Sequence, residues 1–194
     1  MTKVITRDWI HPDVMFYPSQ RPFNKDELGV VINYWKRKLL EEYGAEPGQK
    51  LSMPVMASDI TYFALMFAAW ELGLKVVVSP KPLTKKEFED PRFCGHMPYD
   101  HLIIYKNNRA DIMEFFTKNS KNVRLYDTLG YFNTAKDASL IPYRERMSVK
   151  PEDDAMLCTS SGTTGEPKLI AHTHEYLHEL CSFNHKALGF VEED

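Results

Sequence analysis

Apolar positions along the chain change their period several times, and each change marks an element. Leu28, Val31, Ile32, Trp35, Leu39 and Tyr43 recur on one helical face, so a helix is expected from about residue 24. Asn24 and Glu27 have capping-box spacing at its start, and Gly44 fits the position just past its end. Pro47-Gly48 then turns the chain into a short strand over 51–56. Residues 60–72, ITYFALMFAAWEL, are apolar on nearly every face; Asp59 can cap them and Gly73 stops them. A helix of this kind is buried on several sides. Val76, Val77 and Val78 form a β-branched run suited to an interior strand. Thr84 and Glu87 repeat the capping-box spacing ahead of a short charged helix. Residues 101–105 read as a third strand, 111–118 as a helix and 123–126 as another strand. The alternation predicts an α/β fold: a mainly parallel sheet flanked by helices. Residues 1–22, with Pro12, Pro18 and Pro22, read as an extended arm, and 23–194 as the folded body.

Composition narrows the class. Of 194 residues, 43% are hydrophobic and 26% charged, enough apolar material for a core and unlike a disordered polymer. A net charge of −3 speaks against a general nucleic-acid binder, which carries a clustered basic excess. Cys94, Cys158 and Cys181 are odd in number and widely spaced, so a reducing compartment is expected rather than a disulfide framework. The first residues carry charges and a proline where a signal peptide needs an apolar run, and the apolar stretch 60–70 is about half of what spans a bilayer. A cytoplasmic protein is the expectation.

One segment carries chemistry. Residues 157–168 read LCTSSGTTGEPK, with an apolar strand end before them and Leu169-Ile170-Ala171 after. Glycines permit the positive φ angles that let successive backbone N–H groups converge on an anion. Ser and Thr hydroxyls add donors, and Lys168 supplies a mobile point charge. Such a loop suits a polyphosphate. It is not the Walker A loop, which needs Gly-Lys-Ser/Thr together; here Pro167 precedes the lysine and Leu169 follows it.

SSGTTGEPK resembles the phosphate loop of the adenylate-forming (AMP-binding) superfamily, which includes acyl-CoA synthetases and adenylation domains. The lead-in over 149–155, VKPEDDA, the Thr173-His174 pair after the loop, and the stretch from Glu46 through ALMFAAWELGLKVVVSP are similar to the family as well. The resemblance implies a partial N-terminal domain of such a ligase, with its phosphate loop at 157–168. Ser160, Ser161, Gly162, Thr163, Thr164 and Gly165 would then wrap the β- and γ-phosphates of ATP. Lys168 would neutralise the departing pyrophosphate, and Thr163 and Lys168 would be the catalytic pair. ATP, Mg²⁺ and a thiol acceptor such as coenzyme A follow from the same resemblance, with a carboxylic acid as substrate.

Two departures stand out. Leu169 occupies a place where the family has glycine. The family's downstream segments for adenine, ribose and magnesium, its hinge and its C-terminal domain have no counterpart before Asp194. The chain is therefore expected to need the remainder of a ligase, in the same or a separate chain, or to self-associate through an uncovered apolar face. The alternative from another class is a non-catalytic module that binds a nucleotide or a partner. A minor alternative is a zinc protein, since His174-Glu175-Tyr176-Leu177-His178 spells HExxH. No third ligand follows at a useful spacing, because His185 falls one residue late. Met53, Met56, Met66, Trp35 and Trp70 are expected in the core, and Cys158 as an unactivated thiol.

Overall fold

A computed structural model describes residues 3–10, 24–53, 60–78, 100–105, 114, 123–126, 148–159 and 169–187. Its strands are β1 (Lys50–Met53), β2 (Lys75–Val78), β3 (His101–Tyr105), β4 (Val123–Tyr126), β5 (Asp154–Thr159) and β6 (Leu169–Thr173). The helices are α1 (Lys25–Arg37), α2 (Ile60–Glu71) and α3 (His174–Ala187). The strands form one sheet in the order β4-β3-β1-β2-β5-β6. All neighbours pair in parallel except β5 and β6, which are antiparallel. The expected α/β fold with a mainly parallel sheet is what forms.

The capping box at Asn24 is complete. Its side chain accepts from the Glu27 amide at 2.9 Å, and the Glu27 carboxylate accepts from the Asn24 amide at 3.1 Å. Such a cap contributes about 1 kcal/mol. Leu28, Ile32, Trp35 and Leu39 are fully buried on the face that the periodicity picked out. Residues Lys38–Glu42 extend the helix as a π-turn, closed by the Tyr43 amide on the Lys38 carbonyl at 3.0 Å. Gly44 then takes a left-handed φ of 61°, and the Ala45 amide folds back onto the Leu39 carbonyl at 2.8 Å.

α2 packs between α1 and the sheet, which is why it is apolar around most of its circumference. Trp70 is buried there and donates its indole N–H to the Ala155 carbonyl on β5 at 2.9 Å. Gly73 has a φ of 72°, and a Cβ at this position would sit 3.4 Å from Pro47 and 3.5 Å from Val149. The two turns read from Pro47-Gly48 and Gly73 are joined directly, by the Gly48 amide on the Gly73 carbonyl at 2.8 Å. Leu51, Ser52, Met53, Val76 and Val77 are all buried, as both faces of a central parallel strand must be.

Part of the segment read as an arm is packed. Val4, Ile5 and Ile10 are buried around a 3₁₀ turn at Arg7–Trp9. Arg7 reaches Glu71 of α2 through its backbone N–H (3.1 Å), Nε (2.8 Å) and Nη2 (2.8 Å), and also bonds Asn33 Oδ1 of α1 at 2.8 Å. Lys36 Nζ of α1 completes the cluster at 2.9 Å from Glu71 Oε2. The prolines expected to extend the arm, the charged helix after Thr84, residues 54–56 and all of 111–118 except Glu114 lie outside the described residues.

Candidate phosphate-loop site

β5 and β6 define the site because they hold the two ends of the glycine-rich segment. Thr159 pairs with Leu169, Cys158 with Ile170 and Leu157 with Ala171 in one antiparallel ladder. Facing residues in such a ladder have Cα atoms roughly 4.5–5.5 Å apart. Thr159 and Leu169, the described residues on either side of 160–168, thus lie side by side at the carboxyl end of β5. Ser160, Ser161, Gly162, Thr163, Thr164, Gly165 and Lys168 themselves lie outside the described residues.

Topology makes this point special. β2 and β5 are adjacent and parallel, with Val78 beside Cys158 at their carboxyl ends. From β2 the chain crosses back past β1 to β3; from β5 it turns outward to β6. Connections that leave in opposite directions open a crevice above the strand ends, where ligands of open α/β sheets bind. The departure at Leu169 falls on a regular strand position opposite Thr159, with its side chain exposed, and not within the turn.

The lead-in before β5 and the Thr-His pair after β6 meet in space. Asp153 and Lys150 close a turn, with the Lys150 amide on Asp153 Oδ2 at 2.8 Å and the Asp153 amide on the Lys150 carbonyl at 3.1 Å. The carbonyls of Asp153 and Pro151 accept from the His174 and Glu175 amides, at 3.1 and 2.9 Å. Thr173 caps α3 by accepting from the Tyr176 amide at 3.1 Å. Lys75 Nζ binds Asp154 Oδ2 at 2.8 Å and fixes the start of β5 to β2. Both strands under the loop are thus anchored at their far ends.

Among the described residues, the thiol and hydroxyl at the carboxyl end of β5 are not activated. Burial pushes the Cys158 thiol above its usual range. Burial, with the nearby Cys158 adding to it, pushes the Tyr62 hydroxyl up to about 12. Both stay protonated at neutral pH, so Cys158 is an unactivated thiol.

His174 and His178 take up other work than zinc. His174 is buried and its Nδ1 accepts from the Ile5 amide at 3.3 Å; the Trp9 ring packs T-shaped against His178 with centroids 4.2 Å apart. Among the described residues no third His, Cys, Asp or Glu joins them in a group that could hold a metal. Sequence reasoning missed the partners Lys3, Ile5, Arg7 and Trp9. The only signal was the two apolar pairs, Val4-Ile5 and Trp9-Ile10, within 3–10.

The chain matches the model of the AMP-binding enzyme family over residues 38–194 and belongs to that family. Solved structures with the same fold include VinN in complex with 3-methylaspartate, 18% identical with a TM-score of 0.74 over 95% of this chain and 50% of that one. o-Succinylbenzoate CoA synthetase (MenE) from Bacillus subtilis, in complex with the acyl-adenylate intermediate OSB-AMP, is 16% identical with a TM-score of 0.69; 97% of this chain and 46% of that one are covered. ATP-bound MatB from Rhodopseudomonas palustris is 17% identical with a TM-score of 0.65, covering 86% of this chain and 32% of that one. The chain spans at most about half the length of these structures. Among the described residues no helix is long and apolar enough to cross a membrane.

Proposed function

We propose that this chain supplies the phosphate-binding part of an ATP-dependent ligase that activates a carboxylic acid as its acyl-adenylate. The observation that carries the reading is the β5–β6 ladder, in which Thr159 and Leu169, the residues flanking SSGTTGEPK, face each other at the carboxyl end of β5, next to β2. Membership of the AMP-binding family supports it.

In this reading ATP arrives as Mg·ATP. Ser160, Ser161, Thr163 and Thr164 donate through hydroxyl and backbone groups to the β- and γ-phosphates, and Gly162 and Gly165 let the backbone approach them. A carboxylate oxygen of the acid attacks the α-phosphorus. The new O–P bond replaces the bond to the β-phosphate oxygen, and pyrophosphate leaves carrying one more negative charge than its two phosphates held in ATP, the charge that the carboxylate brought in. Lys168 meets that charge, and positioning with electrostatic stabilisation does most of the catalysis. A thiol, from coenzyme A or a carrier protein, then takes the acyl carbon and releases AMP.

Carboxylate-dependent exchange of labelled pyrophosphate into ATP tests the reading. Exchange by the ligase that contains this segment, dependent on an added acid, is the expected result. ATP binding with no exchange across a broad set of acids would instead make the chain a nucleotide-binding module.

Apolar side chains are exposed on both elements that follow the loop. Leu169 and Ile170 on β6 and Tyr176, Leu180 and Phe183 on α3 are all exposed, Phe183 at 68%. Exposed apolar surface marks interaction sites where it is contiguous. The isolated 194-residue chain is therefore expected to self-associate, with a weight-average mass in sedimentation equilibrium that rises with concentration. A strictly monomeric chain at all concentrations would show that this surface needs no cover.

A further inference from the structure

We propose that residues 3–10 form a proton-sensitive latch on α3, held shut by neutral His174, whose Nδ1 accepts the Ile5 amide, and released when that imidazole takes up a proton. This inference does not depend on the adenylation chemistry.

The latch has three points of contact on α3. Lys3 Nζ pairs with the carboxylates of Glu175 and Glu179, the Ile5 amide donates to His174 Nδ1 at 3.3 Å, and the Trp9 ring packs T-shaped against His178. Between the second and third of these, Arg7 ties the strap to Glu71 of α2 and Asn33 of α1. Eight residues thus tie the helix that follows the loop's exit strand to the helical layer on α1 and α2. Of these ties, only the central one requires an imidazole without charge.

Geometry makes that requirement strict. With Nδ1 accepting from Ile5, the ring proton sits on Nε2, which is buried and has no hydrogen-bond partner. A second proton on Nδ1 would point at the Ile5 N–H, donor against donor. His174 is also the first residue of α3, at the positive end of the helix dipole. Burial accordingly lowers its affinity for a proton, while the charge of Asp153 in the preceding turn pulls the other way. Among the described residues, the titratable groups on the elements around His174 include Lys3, Arg7 and Asp8 on the strap, Glu175, Tyr176, His178, Glu179 and Cys181 on α3, His172 on β6, Glu152 in the preceding turn and Asp154 on β5, which is engaged with Lys75.

The sign follows from linkage. A histidine whose proton affinity is lower when latched than when free stabilises the latched state above its free midpoint, about pH 6.5, and loses that stabilisation as pH falls. Between pH 8 and pH 5 the equilibrium for strap release should rise by up to about thirtyfold. The Lys3 pairs with Glu175 and Glu179 remain when His174 is replaced, so a variant at His174 separates their contribution from that of the imidazole.

Hydrogen exchange of the full chain, read by mass spectrometry on peptides covering residues 3–10 and corrected for intrinsic exchange chemistry, measures the release. Wild type should show the rise toward pH 5. His174→Asn, which keeps an acceptor near the Nδ1 position and does not titrate, should flatten it. A flat wild-type profile overturns the latch, and so does a rise that persists in His174→Asn, since His172 or His178 would then be responsible. If His174→Asn fails to fold, ring ¹⁵N shifts of the unaltered chain decide. The Nε2–H tautomer with a lowered midpoint supports the latch; an Nδ1–H tautomer or an ordinary midpoint overturns it.

Discussion

Replacing Lys168 with alanine is expected to lower acid-dependent pyrophosphate exchange by about 10²–10³-fold, the usual cost of removing one preorganised group from a developing charge. The reason lies in when the charge appears. In bound ATP the bridging oxygen shares its charge with the α-phosphorus; as that bond breaks, the charge moves onto the pyrophosphate. Lys168, at the end of the loop and next to the first residue of β6, is proposed to meet it there. An interaction that strengthens toward the transition state shows in kcat more than in KM. Measuring exchange at saturating ATP therefore separates this role from simple nucleotide affinity. Lys168→Arg should retain part of the rate, because a guanidinium keeps the charge but not the compact geometry. Exchange by Lys168→Ala within about threefold of wild type would take Lys168 out of the reaction, since even one lost donor costs more than that.

A second large effect is expected far from the loop. Glu71→Gln should destabilise the fold by about 3–5 kcal/mol, because it strips the counter-charge from a buried ammonium. The side chains of Lys36 and Glu71 are 3% and 2% exposed, with Nζ and Oε2 2.9 Å apart. Arg7, at 21%, is partly screened by solvent, so most of the cost rests on Lys36. Burial on its own would raise the Glu71 carboxyl, but the Arg7 hydrogen bonds and charge, with Lys36 behind them, hold it at about 2. A carboxyl depressed in the fold stabilises it above the unfolded value, about 4.3, and that contribution fades as pH falls from there toward about 2. Urea unfolding at pH 7 and pH 3 checks both statements. Wild type should lose stability between them by a component that Glu71→Gln lacks. Adding Lys36→Met to Glu71→Gln should recover part of the loss, since an apolar side chain there leaves no charge unpaired. A cost below about 1 kcal/mol at pH 7 would mean that water reaches the cluster and screens it.

The histidines show how one motif divides between readings. HExxH and a family Thr-His overlap at residues 173–178, and the letters alone allow both. What separates them is the surroundings: the 150–153 turn caps α3 at His174, and the strap occupies His174 Nδ1. The same turn explains why VKPEDDA and Thr-His are found together around this loop. One supplies the carbonyls that the other's helix needs at its start.

Much of the local structure was legible because it follows from neighbours in sequence. The buried face of α1 is a period-3.6 pattern, its start is the Asn24–Glu27 pair, and the positive φ angles of Gly44, Gly48 and Gly73 fall at the turns where glycine was read as a stop. Of the glycine-rich segment the structure describes only its flanks, Thr159 and Leu169, on the two strands that the sequence placed on either side of it. Tertiary structure alone decided the strand order, and with it that β5, the strand leading into the loop, lies beside β2 in the sheet. It alone made Lys36 and Glu71 a buried pair, when each looked like a polar position on its own helix. It also turned residues 3–10 from an arm into a strap, through partners at separations of 64 and 169 residues. Periodicity and capping are written into a chain one turn at a time. Which distant side chain completes a buried charge or accepts a lone amide depends on how whole elements pack, and no local pattern carries that.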